Sequence, residues 1–112
     1  MQTMTQAARA YANSAAARSH REQEADLFRR LSVALQLGRE QGGIALARAL
    51  ADNQRLWNMV IDMLRDPDNA LPVPLRASIV SVGLCVQREI RKPEPDIPFL
   101  ISVNESVAAG LA

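Results

Sequence analysis

Several residue types that mark particular classes of protein are scarce in this sequence. Its 112 residues include one cysteine, one histidine, one tryptophan, one tyrosine and two phenylalanines. A single cysteine excludes an internal disulfide, and this fits a reducing compartment. So few aromatic residues disfavour a sheet-based fold. A zinc site needs three or four nitrogen, sulfur or carboxylate ligands, so the sequence predicts no metal site.

Strong charge and long apolar runs are also lacking. The formal net charge is +1, so no overall field attracts the chain to nucleic acid. No apolar stretch approaches the roughly 20 residues that a membrane-spanning helix needs. Residues 1–17 contain no apolar core typical of a secretory signal. We therefore expect a soluble, cytoplasmic protein without membrane insertion.

The residues that are present favour helices. Hydrophobic residues make up 48% of the chain, and alanine and arginine, which are strong helix formers, are frequent. A chain of this length suits one domain with one modest core. The sequence therefore predicts a single all-α domain over residues 1–112, folded as a small bundle of four to five helices.

The helix boundaries are predicted from caps, breakers and apolar spacing. The Thr3/Gln6 and Ser19/Glu22 pairs have capping-box spacing, which predicts a first helix within 1–17 and a second helix after Ser19. We expect the first helix to be mobile because it contains few large apolar groups. The second helix carries an apolar stripe and ends towards Gly42–Gly43.

Three further helices follow. The third runs from about Ile44 to Leu64 with a stripe wide enough for two contacts. A turn at 66–69 precedes a fourth helix over about Leu75–Arg91, with Pro74 in its first turn. Residues 92–98 form a stiff proline-containing linker, and the last helix begins at about Pro98.

No arrangement of residues predicts catalysis or a cofactor. His20 is expected to be a solvated side chain, and Cys85, between Leu84 and Val86, a buried and unreactive thiol. Asp62 and Asp66 are expected on a solvated face. Gly42–Gly43 lacks the lysine and the glycine spacing of phosphate-binding loops. We therefore expect a binding protein and not an enzyme.

A basic strip near the N-terminus leaves RNA binding open as an alternative. The strip would consist of Arg9, Arg18, Arg21, Arg29 and Arg30. RNA-binding proteins of this size usually place aromatic residues among such bases for stacking. Only Tyr11 and Phe28 are available here, and Phe28 lies on an apolar stripe.

An ordered set of short segments in the second half of the chain resembles one family. These segments are NQRLW (Asn53–Trp57), NALP (Asn69–Pro72), LRASI (Leu75–Ile79) and SVGL (Ser81–Leu84). Together with the closing LISVNESVAAGL from Leu100, Tyr11 and the REQEADLFRRL stretch from Arg21, they resemble the flagellar biosynthesis regulator FlaF. The chain departs from the family pattern at Cys85, where a bulky apolar residue is expected, and in its short linker before the last helix.

The resemblance implies a role in flagellum assembly in alphaproteobacteria. The resemblance implies that the protein acts as a cytoplasmic secretion chaperone for flagellin. It would act beside FlbT, a regulator that restrains flagellin translation. Unassembled flagellin has amphipathic termini, and an apolar groove suits such helices. The alternative within the same setting is a post-transcriptional regulator that contacts flagellin mRNA directly.

We place the expected flagellin groove between the third helix and the last one. The partner-binding residues predicted for it are Asn53, Leu56, Trp57, Met59, Met63 and Asn104. Methionine suits a surface that accommodates several sequences, and the two asparagines would hold the partner through polar contacts. For Trp57 a place in the core is the competing interpretation, and for Asn53 a solvated face.

Overall fold

The high helix propensity of the chain produces four α-helices within residues 2–111. The computed structural model describes the backbone of residues 2–111 and the side chains of that range except those at 2–4, 14, 15 and 17–19. The helices are α1 (Gln2–Gln41), α2 (Gly43–Arg65), α3 (Val73–Ile90) and α4 (Ile97–Leu111), and residues 2–111 contain no strand. The predicted all-α bundle of four to five helices is confirmed, with four helices in residues 2–111.

The first two predicted helices are one continuous helix. α1 passes through residue 19 without a break, so the predicted helix start there is wrong. Serine is only mildly unfavourable inside a helix, and no glycine or proline occurs before Gly38. The side chains of Thr3 and Ser19, which the two predicted capping boxes require, lie outside the described residues. Whether residues 1–17 are mobile stays a prediction.

A glycine pair turns the chain between α1 and α2. Gly42 and Gly43 have φ values of 68° and 54°, a region that glycine occupies without steric cost. The Gly42 N–H donates to the Gly38 carbonyl at 2.7 Å and closes the end of α1. α2 then returns antiparallel along α1. The two backbones are so close that a Cβ on Gly38 would lie 2.9 Å from the Leu46 Cα.

Side-chain hydrogen bonds fix the turn between α2 and α3. The Asp66 carboxylate accepts from the Asp68 N–H and the Asn69 amide oxygen accepts from the Leu71 N–H, each at 2.9 Å. Pro74 lies in the first turn of α3, as predicted. α3 packs on α2 at Gly83, where an added Cβ would lie 2.9 Å from the Ile61 side chain.

α4 completes the bundle by packing along α1 and contacting α2 at Trp57. The Asp96 side chain accepts from the Phe99 N–H at 3.1 Å and caps the first turn. α4 packs mainly against α1, and α1 also packs against α2. The core consists of side chains from all four helices. Its buried hydrophobic members are Ala25, Phe28, Leu35, Ala49, Leu56, Trp57, Val86, Ile97, Leu100 and Ala108.

The N-terminal half of α1 extends beyond the core. Among the described side chains of α1, the first buried one is Ala25, and those between 6 and 23 are all exposed. A 40-residue helix is about 60 Å long, and the molecule measures 62 × 29 × 18 Å. α1 therefore spans the whole long axis. We call residues 6–23 the overhang.

Candidate functional site

Four of the six predicted partner-binding residues lie inside the protein. Asn53, Trp57 and Asn104 are completely buried, and Leu56 is 6% exposed. The Trp57 ring packs edge-on against Phe28 of α1, with ring centroids 5.8 Å apart. The predicted open groove between α2 and α4 is therefore wrong in this structure. Trp57 occupies the centre of the inward face of α2, and its large ring fills the space between the helices.

Trp57 and the two buried asparagines form one hydrogen-bonded network. The Trp57 indole N–H donates to the Asn104 Oδ1 at 3.1 Å, and the Asn104 Nδ2 donates to the Asn53 Oδ1 at 2.6 Å. The two asparagines thus hold the tryptophan and not a partner. The Asn53 Nδ2 and the Ser32 Oγ are buried without a hydrogen-bond partner among the described residues. A buried polar group without a partner lowers stability.

The two predicted methionines remain accessible. Met59 is 55% exposed and Met63 is 54% exposed. They are four residues apart on α2, so they lie one turn apart on the same side of that helix. Their part in partner binding stays a prediction.

An apolar groove lies instead between α3 and α4. It has a volume of about 350 Å³ and is lined by five side chains, three of them valines. These residues are Val82, Ser102, Val103, Ser106 and Val107. Val82 is 40% exposed, and Val103 and Val107 are half-buried. We call this site the α3–α4 groove.

The groove exists because its two walls pack on different neighbours. α3 packs on α2, whereas α4 packs on α1, so the helices diverge after the linker that joins them. Leu75 precedes Val82 by two helical turns on the same side of α3 and is also exposed. This extends the apolar wall of α3. The sequence showed the apolar stripes of both helices but not that these parts of them are uncovered.

The charged residues are distributed unevenly along the fold. Residues 1–21 contain Arg9, Arg18 and Arg21 and no acidic residue, whereas residues 93–112 contain Glu94, Asp96 and Glu105 and no basic residue. The acidic segment forms α4 and the linker before it, which is one wall of the α3–α4 groove.

The predicted basic strip does not form a single face of α1. At about 100° per residue, Arg9 and Arg29 are separated by roughly 160° around the helix. The Arg29 guanidinium also pairs with the Asp26 carboxylate at 2.9 Å. Phe28 is buried against Trp57, so Tyr11, which is 72% exposed, is the only member of the predicted stacking pair that is accessible.

The single cysteine and histidine are both on the surface. Cys85 is exposed, and the Arg88 Nη2 donates to its sulfur at 3.2 Å. The prediction of a buried thiol is wrong because Cys85 lies on the side of α3 that faces away from α2. The residue therefore leaves no gap in the core. His20 is solvated as predicted, and its Nε2 lies 2.8 Å from the Glu24 carboxylate.

Two wider properties of the described residues bear on function. Within residues 2–111, none of the helices combines the length and the apolar character that crossing a membrane requires. Asp62 and Asp66 are both exposed, as predicted.

Comparison with known proteins gives one match. No curated protein and no solved structure shows significant similarity to the chain. The model of one family, described as flagellar protein FlaF, matches residues 7–111 and therefore nearly the whole sequence. This match confirms the resemblance carried by the segments of α2, α3 and α4, and the chain belongs to the FlaF family of flagellar proteins.

Proposed function

We propose that this FlaF-family protein binds flagellin as a cytoplasmic export chaperone and, together with FlbT, helps to regulate flagellin synthesis. The single observation that carries the proposal is the α3–α4 groove, an open apolar surface in a protein of a flagellar family. The proposed role is that of a binding protein, and no catalytic step forms part of it.

The shape and chemistry of the groove suit an amphipathic helix. Val82 on one wall and Val103 and Val107 on the other offer branched apolar side chains to a helix laid between them. Apolar residues recurring every three to four positions on the bound helix would fill the groove. The hydroxyl groups of Ser102 and Ser106 allow its polar edge to stay hydrogen-bonded. Binding would cover the apolar face of an unassembled flagellin terminus and prevent its aggregation.

Met59 and Met63 provide a second accessible apolar surface on α2. Methionine adapts to different partner shapes because its side chain is unbranched and flexible. We propose that they contact a further part of flagellin or FlbT. The buried residues Asn53, Leu56, Trp57 and Asn104 contribute by holding α2 and α4 in place.

Direct binding to flagellin mRNA is less well supported. The arginines near the N-terminus are distributed around α1, and Arg29 is already paired with Asp26. Tyr11 alone is accessible for stacking, whereas RNA-binding surfaces combine several aromatic and basic groups. The apolar groove therefore favours a protein client.

The experiment measures flagellin binding to the purified full-length protein and two variants. Val82→Glu places a charge in the groove, and Val33→Glu makes the same change at a valine on α1 that is 58% exposed. We expect Val82→Glu to weaken binding by about tenfold or more, whereas Val33→Glu leaves it unchanged. Equal thermal stability of the three proteins is the control for folding.

The salt dependence separates the two candidate functions. Apolar binding in the groove changes little between low and physiological salt, whereas charge-driven RNA binding weakens steeply. A pull-down with flagellin, FlbT and flagellin mRNA as separate baits identifies the partner. Retention of mRNA alone, or full flagellin binding by Val82→Glu, would contradict the proposal.

A further inference from the structure

One chain contains both an exposed helix and an open groove. The overhang is about 27 Å long, from its 18 residues, and the groove lining on α4 lies within residues 102–107, so one part of the overhang would fill it. The described side chains of the overhang are exposed, including the aromatic ring of Tyr11. Burying the exposed ring of Tyr11 against another surface would be energetically favourable.

The charges of the two elements are complementary. The first 21 residues carry three arginines without an acidic residue, and residues 93–112 carry three acidic residues without a basic one. Arg9 and Arg21 in the overhang are exposed, as are Glu94 and Glu105 beside the groove. Opposite charges on two surfaces steer them together and select against other pairings.

The overhang leaves the bundle at the end opposite the linker between α3 and α4. Phe28 packs on Trp57 in the antiparallel pair of α1 and α2, so the overhang emerges beside the C-terminal end of α2. α4 begins beside Glu89 of α3, whose carboxylate accepts from the Asp96 N–H, and continues past the level of Asn53 towards that same end. The linker between α3 and α4 therefore lies at the end of the groove away from the overhang.

The overhang cannot reach the groove of its own molecule. α1 is continuous from Gln2 to Gln41, and residues 2–37 include no glycine or proline at which it would bend back. A second copy can present its groove to the overhang. Two copies related by a twofold axis would each insert an overhang into the groove of the other copy. This arrangement leaves neither an overhang nor a groove unpaired.

We propose that the protein forms a symmetric dimer in which the overhang of each copy occupies the α3–α4 groove of the other. The dimer covers the apolar surface of the groove when no client is bound. A client helix that binds the same groove displaces the overhang and separates the copies. This competition, unlike the dimer itself, rests on the proposed function.

A charge-exchange experiment on the full-length chain tests the dimer without a client. The double variant Arg9→Glu/Arg21→Glu reverses the charge of the overhang. The double variant Glu94→Arg/Glu105→Arg reverses the charge beside the groove. We expect each pair to weaken self-association, measured by sedimentation equilibrium, by about tenfold or more. In an equimolar mixture of the two variants each overhang meets a groove side of opposite charge, so we expect heterodimers to form. We also expect all four changes combined in one chain to restore the dimer.

Arg48→Glu is the matched control, because Arg48 is an exposed arginine on α2 outside both elements. We expect this variant to dimerise like the original protein. A chain that stays monomeric at all concentrations would overturn the proposal, and so would a dimer that none of the reversals weakens. If the original chain is monomeric and only the overhang reversal abolishes binding to a single-stranded RNA probe, the overhang belongs to an RNA site and the proposal is wrong.

Addition of flagellin separates this inference from the proposed function. If a dimer forms and flagellin converts it to a one-to-one complex, both are supported. If the charge reversals dissociate a dimer but flagellin does not bind to any form, the dimer stands and the proposed function fails. If flagellin binds a protein that is monomeric throughout, the proposed function stands and the dimer is wrong.

Discussion

The indole N–H of Trp57 donates a hydrogen bond to the side-chain oxygen of Asn104 at 3.1 Å, and both side chains are completely buried. This bond joins α2 to α4 across 47 positions of the sequence. The same Asn104 amide donates to Asn53, so one residue of α4 satisfies polar groups from two successive turns of α2. A buried polar bridge of this kind aligns the two helices, because a displaced pairing leaves its members without hydrogen bonds.

Replacing Asn104 by alanine is expected to destabilise the protein. The substitution leaves the Trp57 N–H and the Asn53 Oδ1 buried without their partner, at a combined cost of about 2–4 kcal/mol in the free energy of unfolding. Urea denaturation followed by far-ultraviolet circular dichroism measures the change. Asn13→Ala, at an exposed asparagine of α1, is the matched control and should shift stability by no more than about 0.5 kcal/mol. Equal stabilities for the two variants would show that the bridge contributes nothing.

Trp57→Ala tests whether the tryptophan is a core residue. Complete burial and the edge-on contact with Phe28 predict a loss of about 3–5 kcal/mol, because the truncation leaves a large cavity. Thermal unfolding provides the measurement. Tyr11→Ala removes an exposed aromatic ring, and its effect on the unfolding of a single subunit should be small. A stable Trp57→Ala protein that loses flagellin binding would restore the predicted role of this residue in the interface.

Three glycines inside helices predict an ordered series of stabilities on substitution by alanine. At Gly38 the new methyl group would lie 2.9 Å from the Leu46 Cα, so the backbones of α1 and α2 must move apart. At Gly83 it would meet the Ile61 and Trp57 side chains, and a shift of Ile61 relieves part of the overlap. At Gly110 it meets no atom of the described residues within 4 Å.

We therefore expect Gly38→Ala to be the most destabilising of the three. Gly83→Ala should cost about 1–3 kcal/mol from overpacking, partly offset by the higher helix propensity of alanine. Gly110→Ala should be neutral or stabilise the protein by up to about 1 kcal/mol. Denaturant midpoints of the three variants give the order. A stabilising Gly38→Ala would show that the helices are not in close backbone contact.

The exposure of Cys85 predicts that its thiol reacts in the folded protein. A chromogenic disulfide reagent should modify one thiol per chain without denaturant, at a rate within about tenfold of that in urea, because a surface thiol needs no unfolding to react. Cys85→Ala should change stability by no more than about 0.5 kcal/mol. Modification that occurs only after urea is added would mean that the thiol is buried.

The helices themselves could be predicted in large part from local patterns. Three of these features depend only on neighbours within a few residues. They are the turn at Asp66–Asn69, the position of Pro74 in the first turn of α3, and the apolar spacing of α2 and α3. The start predicted at Ser19 failed because cap spacing alone does not end a preceding helix when no glycine or proline interrupts it. A capping pattern within a continuous stretch of helix formers is therefore weak evidence for a boundary.

The candidate site shows the limit of local patterns more clearly. Periodic spacing identified Trp57, Val82 and Cys85 as members of helical stretches, but burial depends on which neighbouring helix covers each face. Trp57 faces α1 and α4 and is sealed, whereas Val82 faces the gap between α3 and α4 and stays open. No spacing along one helix contains that information.

The sequence by itself determined the helical composition, the glycine and proline positions that turn the chain, and the membership of the FlaF family. The tertiary structure decided that Asn53, Trp57 and Asn104 lie inside, that Cys85 lies outside and that the apolar groove lies between α3 and α4. The physical reason is that helix formation depends on neighbours along the chain, whereas burial depends on contacts between residues tens of positions apart.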